Sequence, residues 1–185
     1  MDKTETVTHT EKKDMSWTSF FILLGLIILF RVFVLEPHSV SGSSMDDTFK
    51  DGDYVIVDKL SYRFTDPKAG DVIVFNPPAV TGKTERFIKR VIATSGQTVE
   101  VKSDATYVNN VPLVENFVTY KSAQTSASAL LPAGQYFVMG DNRAVSYDSR
   151  SWGPIVKSEV QGRVLVRLYP FNKIELFPGA KEYQK

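Results

Sequence analysis

One long apolar segment constrains this chain more than any other feature. Residues 17–35 read WTSFFILLGLIILFRVFVL, with Arg31 as the one charged residue. A helix of this length spans about 28 Å at a rise of about 1.5 Å per residue, close to the roughly 30 Å hydrocarbon thickness of a bilayer. The segment therefore predicts a transmembrane helix over 17–35, with Trp17 at one interface.

Two other interpretations of this segment are open: a cleaved signal peptide and the core helix of a soluble protein. A cleaved signal peptide has a shorter apolar region and ends in a small-x-small site, which the following LEPHSV does not offer. We favour an uncleaved signal anchor. Lysines precede it, with fewer basic residues after it, and this bias predicts a cytoplasmic N-terminus and an extracytoplasmic body. The polar residues 1–16 are predicted to form a disordered cytoplasmic tail.

The composition excludes several kinds of chemistry. The chain of 185 residues has no cysteine and two histidines, His9 and His38. Cysteine nucleophiles, cysteine-ligated zinc and disulfides are therefore excluded. With two histidines, the chain also has almost no residues from which to build an HExxH zinc site or a Ser-His-Asp triad. The formal net charge of +1 gives no electrostatic basis for binding nucleic acid.

Downstream of residue 35, β-branched and aromatic residues form short runs bounded by Gly, Pro, Asn and Asp. We therefore expect a mostly β protein. Asn109 and Asn110 predict a hairpin turn, because asparagine accepts left-handed backbone angles. The small, polar stretch 121–134 is predicted to be a loop. The candidate strands lie at 53–62, 70–78, 85–102, 105–118, 134–142 and 162–171.

A small, hydroxyl-rich segment follows the apolar run and offers a serine nucleophile. It reads SGSSMDDTF at 41–49. A serine needs a base, and the Ser-x-x-Lys motif is not present, since Asp47 lies three residues after Ser44. His38 is one candidate base, although a polar residue next to the membrane is the simpler interpretation.

Lys89 is the stronger candidate base. By strand alternation in RFIKRVIA, it shares a face with Phe87 and Val91. A lysine on an apolar face loses hydration, which lowers its pKa towards the range where a neutral amine accepts protons. The alternative is a lysine that protects an exposed sheet edge.

A third cluster lies at 140–153 and reads GDNRAVSYDSRSWG. It contains two Asp, two Arg and an Asn between terminal glycines. One interpretation is a solvated turn. The other is a rigid, ion-paired loop that supports a site, because Asp and Arg recur one residue apart.

Taken together, these segments resemble the type I signal peptidases (bacterial leader peptidases), in particular the small single-span form of Gram-positive bacteria. The order matches: one span, SM at 44–45, GDVIVF at 70–75, KR at 89–90, and GDNRxxSxDSRxxG at 140–153. The resemblance covers roughly 36–171. It implies a membrane-bound Ser-Lys serine endopeptidase that removes signal peptides from exported preproteins, with a lipid membrane as partner and no metal, organic cofactor or nucleic acid.

The resemblance also implies roles for individual residues. Ser44 would be the nucleophile and Lys89 the general base. Supporting roles would fall to Ser146, which would hold the lysine amine, to the pair Asp141 and Arg90, and to the pair Asp148 and Arg150. The substrate would bind as an added strand between the segments that precede Ser44 and Lys89. It would contact Val40, Gly42, Met45 and Ile88.

The same resemblance implies a domain organisation. The KR and GDNR motifs belong to one site but flank residues 103–134. We therefore expect a catalytic β core over 36–102 and 135–175, a small β insertion over 103–134, and a C-terminal tail over 176–185.

Three positions depart from the pattern of the family. SMxPT reads SMDDT, the Gly-Leu-Pro-Gly-Asp that follows KRVI reads ATSGQ, and Gly42 stands where some members have an oxyanion-binding serine. The first two departures motivate an alternative: a dedicated accessory protein for pilus or surface-protein assembly, with narrowed or lost general peptidase activity. A self-cleaving Ser-Lys protease of the repressor type is a second alternative, but it would carry a DNA-binding domain and no membrane span.

Overall fold

The computed structural model describes residues 16–46, 48–103, 105–119 and 121–179. Most of the predicted N-terminal tail, all of it but Ser16, lies outside these residues. So do Asp47 of the SMDDT segment and the last six residues of the predicted C-terminal tail, 180–185.

The predicted mostly β fold is confirmed. The described residues form two antiparallel sheets and three α-helices. The strands are β1 (Leu35–Ser39), β2 (Tyr54–Asp58), β3 (Val72–Phe75), β4 (Phe87–Ala93), β5 (Thr98–Val101), β6 (Thr106–Val108), β7 (Val111–Pro112), β8 (Ser126–Leu130), β9 (Gln135–Met139), β10 (Ile155–Val156), β11 (Val160–Tyr169) and β12 (Glu175–Leu176). The large sheet has the order β1-β2-β11-β3-β4-β9-β10, with β12 paired to β11, and the small sheet has the order β7-β6-β5-β8.

The helices are α1 (Trp17–Val34), α2 (Ser61–Phe64) and α3 (Ser149–Trp152). The chain leaves α1 directly into β1, because Glu36 precedes Pro37 and a residue before proline disfavours the helical conformation. Across the described residues, none of the helices combines the length and the apolar character that crossing a membrane requires, so the predicted span over 17–35 is not confirmed.

The centre of the large sheet is buried on both faces. All four residues of β3 are buried, and they alternate between two core clusters: Val72 and Val74 pack with one, Ile73 and Phe75 with the other. A strand covered on both faces has no polar face, which explains why VIVF reads as a continuous apolar run. β3 is flanked by β11 and β4, so β4 and its lysine lie next to a strand that is buried on both faces.

The small sheet confirms one local prediction and corrects two. β6 and β7 form the predicted hairpin, with φ of 52° at Asn109 and 64° at Asn110. The stretch 121–134 was predicted to be a loop, but it contains β8, which pairs with β5. The small sheet also begins at β5, earlier than the predicted boundary at 103, since Val99 pairs with Val108. The first difference arises because β8 pairs with a strand distant in the sequence, which local composition does not encode.

An edge-to-face pair of aromatic rings, Phe75 on β3 and Phe87 at the start of β4, generates a stability prediction. Phe75 is fully buried, and its ring lies 6.1 Å from that of Phe87 in an edge-to-face arrangement. We expect Phe75→Ala to lower the free energy of unfolding by about 3–5 kcal/mol, because it leaves a cavity in a packed core. Urea unfolding of the full chain in detergent measures this. As a control, Phe64→Ala, at a side chain that is 80% exposed, should change it by about 0.5 kcal/mol or less. Equal effects would contradict the assigned core.

Candidate active site

Ser44 stands at the start of a tight turn that the core anchors. The Met45 carbonyl accepts hydrogen bonds from the N–H groups of Thr48 (2.8 Å) and Phe49 (2.7 Å). The side chains of Met45 and Phe49 are fully buried. Before the serine, Gly42 has a φ of +83°, a left-handed conformation that glycine adopts without strain, and its N–H donates to Asp51 Oδ1 at 2.8 Å. The small residues of this segment therefore serve a sharp turn that leaves Ser44 half-exposed.

Lys89 lies beside that serine. It is on β4, opposite Ile73 of β3, and only 5% of its surface is exposed. Its Nζ donates to Ser44 Oγ at 2.6 Å and to the Ile88 carbonyl at 3.1 Å, and it lies 5.3 Å from the centre of the Phe87 ring. The structure thus brings together the two residues that the sequence pairs as nucleophile and base.

Burial changes the protonation of this lysine. Removal from water lowers the pKa of the Lys89 amine from an ordinary 10.5 to about 8, while the carboxylates of Asp148 and Asp141 oppose part of this change. A fraction of the amine is therefore neutral near pH 7, and most of it is neutral above pH 8. A neutral amine 2.6 Å from a serine hydroxyl can accept its proton.

The loop after β9 approaches Ser44 closely from a second direction. The Asn142 N–H donates to the Ser44 carbonyl at 3.0 Å. Gly140 makes this approach possible: a Cβ at this position would overlap both the Ser44 carbonyl oxygen and the Ser146 hydroxyl. The backbone of Ser44 is therefore held by a segment almost a hundred residues away in the sequence.

Arg90 and Asp141 form the predicted ion pair, and it is fully buried. The Arg90 Nε and Nη2 atoms donate to the two carboxylate oxygens of Asp141 at 2.8 Å and 2.6 Å. The Thr48 hydroxyl donates to the same carboxylate at 2.5 Å, and Arg90 also donates to the carbonyls of Gly70 and Gly179. The pair thus fastens the turn that carries Ser44 to the loop that carries Asn142.

Asp148 and Arg150 form the second predicted pair, also buried. Two hydrogen bonds of 2.8 Å join the guanidinium to the carboxylate, and Arg150 donates to the carbonyls of Arg143 and Ser146. Asp148 also accepts from the Gly140 N–H at 3.1 Å. This pair therefore fixes the shape of the loop from 140 to 150.

Ser146 is buried under that loop, but its contacts differ from the expected role. Its Oγ accepts from the Gly140 N–H at 3.2 Å. Among the described residues, the hydrogen bonds of the Lys89 amine go to Ser44 and to the Ile88 carbonyl, and Ser146 is not one of its partners. The role of Ser146 in holding the lysine amine stays a prediction.

Two arginines that the sequence did not single out also support the site. Arg143 donates to Glu115 at 2.9 Å and 2.5 Å and to Thr106 at 3.2 Å, which ties the loop after β9 to the small sheet. Arg167 donates to the Thr48 carbonyl at 2.8 Å and so holds the Ser44 turn from β11. The signal for Arg143 lay in the GDNR motif itself, whereas nothing in the sequence marks Arg167.

A cleft of about 370 Å³ opens over Ser44 and Lys89. Of the four residues predicted to contact substrate, Gly42 and Ile88 line it, whereas Val40 and Met45 are buried in the core behind it and do not line it. The role of all four in binding substrate stays a prediction. His38 also lines the cleft, and burial together with the charge of Arg86 lowers its pKa. The walls come from residues 38–39 and 41–44 on one side, residues 85–89 on the other, and Val145 and Tyr147.

The arrangement supports nucleophilic chemistry. Within the described ranges, no cluster of three or more His, Asp or Glu side chains is placed to hold a metal ion. The described site combines a hydroxyl, a buried amine beside it and an open cleft above both. This is the combination that acyl transfer through a covalent serine intermediate requires.

Comparison with known proteins identifies similar chains. Residues 14–169 match the family described as "Signal peptidase, peptidase S26". The chain is 41% identical to "Probable signal peptidase I-1" of Synechocystis sp., covering 82% of this chain and 80% of the relative. It is 33% identical to "Signal peptidase IB" of Staphylococcus aureus, covering 89% and 94%. A crystal structure of a signal peptidase I from Enterococcus faecalis aligns with a TM-score of 0.46 at 30% identity, covering 54% of this chain and 97% of that one.

The buried amine generates a prediction that needs no substrate. We expect Lys89 to titrate with a pKa of about 8, below the ordinary lysine value of about 10.4, in an NMR titration of the side-chain carbon next to the amine. Ser44→Ala should leave this pKa low, because burial is its largest cause. A Lys89 signal that titrates together with the bulk of the lysines would contradict the burial of the amine.

Proposed function

This chain belongs to the peptidase S26 family of signal peptidases, and we propose that it cleaves N-terminal signal peptides from exported preproteins with a Ser44–Lys89 dyad. The observation that carries the proposal is the 2.6 Å contact between the buried Lys89 amine and the Ser44 hydroxyl under an open cleft. The enzyme class follows from the family: the protein is a serine endopeptidase, a hydrolase.

The proposed mechanism is acyl transfer in two steps. Neutral Lys89 takes the Ser44 proton as Oγ attacks the scissile carbonyl, and the lysine then protonates the leaving amine. A water molecule, deprotonated by the same lysine, hydrolyses the ester that joins the signal peptide to Ser44. The cycle returns Ser44 to its hydroxyl form and Lys89 to its neutral form.

The oxyanion must be held by groups near Ser44. The Gly42 N–H is already bonded to Asp51, so it is not available in this conformation. We therefore assign this role to the backbone N–H of Ser44 and the exposed hydroxyl of Ser43. One oxyanion donor contributes about 2.7–4 kcal/mol to lowering the barrier, so losing the Ser43 hydroxyl would slow the reaction markedly.

The cleft fits an extended peptide that adds to the sheet. β1 ends the strand order of the large sheet, and the sheet curls so that residues 38–44 face residues 85–89 across the cleft. A peptide between them would gain affinity from main-chain hydrogen bonds and specificity from small pockets. Ile88 would border a pocket, with Val40 and Met45 setting its depth from behind. Small pockets select the small-x-small pattern at the end of a signal peptide.

We further propose that α1 attaches the enzyme to the cell membrane in a single pass, with the N-terminus cytoplasmic and the catalytic domain extracytoplasmic. The apolar side chains of α1 are exposed around the helix, including Phe21 at 61% and Ile22 at 60%. A helix that is apolar on all sides is stable inside protein or lipid and not in water. Attachment at this point would place the cleft where the apolar part of a signal peptide ends.

The central test is cleavage of a generic preprotein in detergent. We expect the wild type to cut after a small residue, and Ser44→Ala and Lys89→Ala to lose at least about 10³-fold in kcat while remaining folded. The rate should rise with pH through about 8, because protonated Lys89 cannot accept the serine proton. Ser158→Ala and Lys83→Ala, at exposed positions away from the cleft, serve as controls. A wild type that cuts none of several preproteins would favour the dedicated assembly role instead.

Membrane attachment is tested separately. We expect the full chain to stay in the membrane fraction after alkaline carbonate extraction, and a chain that begins at residue 35 to be released, because the apolar side chains of α1 require lipid. Protease added to the outside of protoplasts, whose cell membrane is intact, should digest the catalytic domain and spare an N-terminal tag. Extraction of the full chain by carbonate would contradict anchoring in the bilayer.

A further inference from the structure

The two walls of the cleft are joined at both ends. At one end Ser44 contacts Lys89. At the other, Arg86 from the second wall forms an ion pair with Glu36 on β1, two residues before the cleft residue His38. Lys59 lies 3.1 Å from the same carboxylate. We refer to the Glu36–Arg86 ion pair as the latch.

The latch lies just after the C-terminal end of α1. Glu36 is the second residue after that helix, and the Lys59 N–H donates to the Val34 carbonyl at 2.9 Å. If α1 is held in a membrane, the latch is the end of the cleft closest to that membrane. The apolar part of a signal peptide also lies in the membrane, so the substrate would pass the latch before its cleavage site reaches Ser44.

We propose that the latch is a specificity-determining element that keeps the apolar region of a signal peptide out of the cleft and thereby sets its distance from the cleavage site. This inference rests on the proposed function. Arg86 is three residues from Lys89, which is roughly 10 Å along a strand at about 3.3 Å per residue. With the reach of the arginine side chain, the latch would meet a residue about four to six positions before the scissile bond.

The chemistry of the latch favours polar residues at that position. Its side chains are partly exposed, at 36% for Arg86 and 28% for Glu36, so water can reach the charged groups. An apolar side chain placed against them would remove this water without replacing its hydrogen bonds, which weakens binding. A polar residue would leave the groups hydrated or exchange hydrogen bonds with them. An exposed ion pair contributes little to folding, so its removal should leave the fold intact.

The test uses two preproteins that differ only in the spacing between the apolar region and the small-x-small site. In one the apolar region ends six or more residues before the scissile bond, and in the other it extends to three. We expect the wild type to prefer the first by about tenfold or more in kcat/KM, a discrimination typical of one or a few apolar groups. Glu36→Ala, Arg86→Ala and the double variant should each reduce this preference to about threefold or less. The main change should be a lower KM for the second substrate.

Two features make this result specific. The double variant should show no larger effect than either single variant, because one change already breaks the pair. The control is Glu100→Ala, which breaks a comparably exposed ion pair with Lys102, 3.0 Å long, on the small sheet; it should keep the wild-type preference. Thermal unfolding verifies that all variants are folded.

The possible outcomes distinguish failure of the latch proposal from failure of the proposed peptidase function. If the wild type cleaves the first substrate but the latch variants retain its preference, the latch proposal is overturned and the peptidase remains. If the wild type cleaves neither substrate, the proposed function fails and the latch proposal fails with it. Loss of preference in Glu100→Ala as well would also overturn the proposal, since the effect would then not belong to the cleft.

Discussion

The structure depends on keeping one lysine amine out of water next to one serine hydroxyl. Burying an amine costs free energy unless the group loses its charge or gains partners, and here the pKa falls to about 8 so that both states are accessible. The amine gains partners in the Ser44 hydroxyl and the Ile88 carbonyl, and β4 lies beside β3, which is covered on both faces. A more hydrated amine would stay protonated, and a protonated amine cannot act as a base.

Two buried ion pairs secure the surroundings of that amine. Arg90 with Asp141 and Arg150 with Asp148 are both bidentate, and each carboxylate also accepts a hydrogen bond from another group, Thr48 or the backbone of Gly140. Buried pairs of this kind seldom add net stability compared with apolar residues, but breaking one leaves an uncompensated charge. Their effect here is geometric. They fix the turn that carries Ser44 and the loop between β9 and α3 around the serine.

Much of this could be predicted from the sequence, and the failures share one cause. The Asn109–Asn110 turn and the β character follow from local patterns, whereas the pairing of Ser44 with Lys89 was implied by the resemblance to signal peptidases. β8 was predicted to be a loop because SASAL has weak strand propensity, and only its pairing with β5 makes it a strand. Arg167 escaped notice because its contact with the Thr48 carbonyl joins residues far apart in the sequence. Val40 and Met45 were expected in the cleft, but which face of a turn points inward depends on the packing around Phe49.

The contact between Asn142 and the Ser44 carbonyl has a consequence for the order of folding events. The dyad joins residues 45 positions apart, and the loop that fixes the serine is more distant still. Contacts between distant segments form late, because the chain between them must first be brought to order. In the proposed mechanism, a nascent chain that has exposed the SGSSM segment therefore has no activated serine until β4 and the loop after β9 have docked. Peptidase activity would then begin only when these distant segments have packed together.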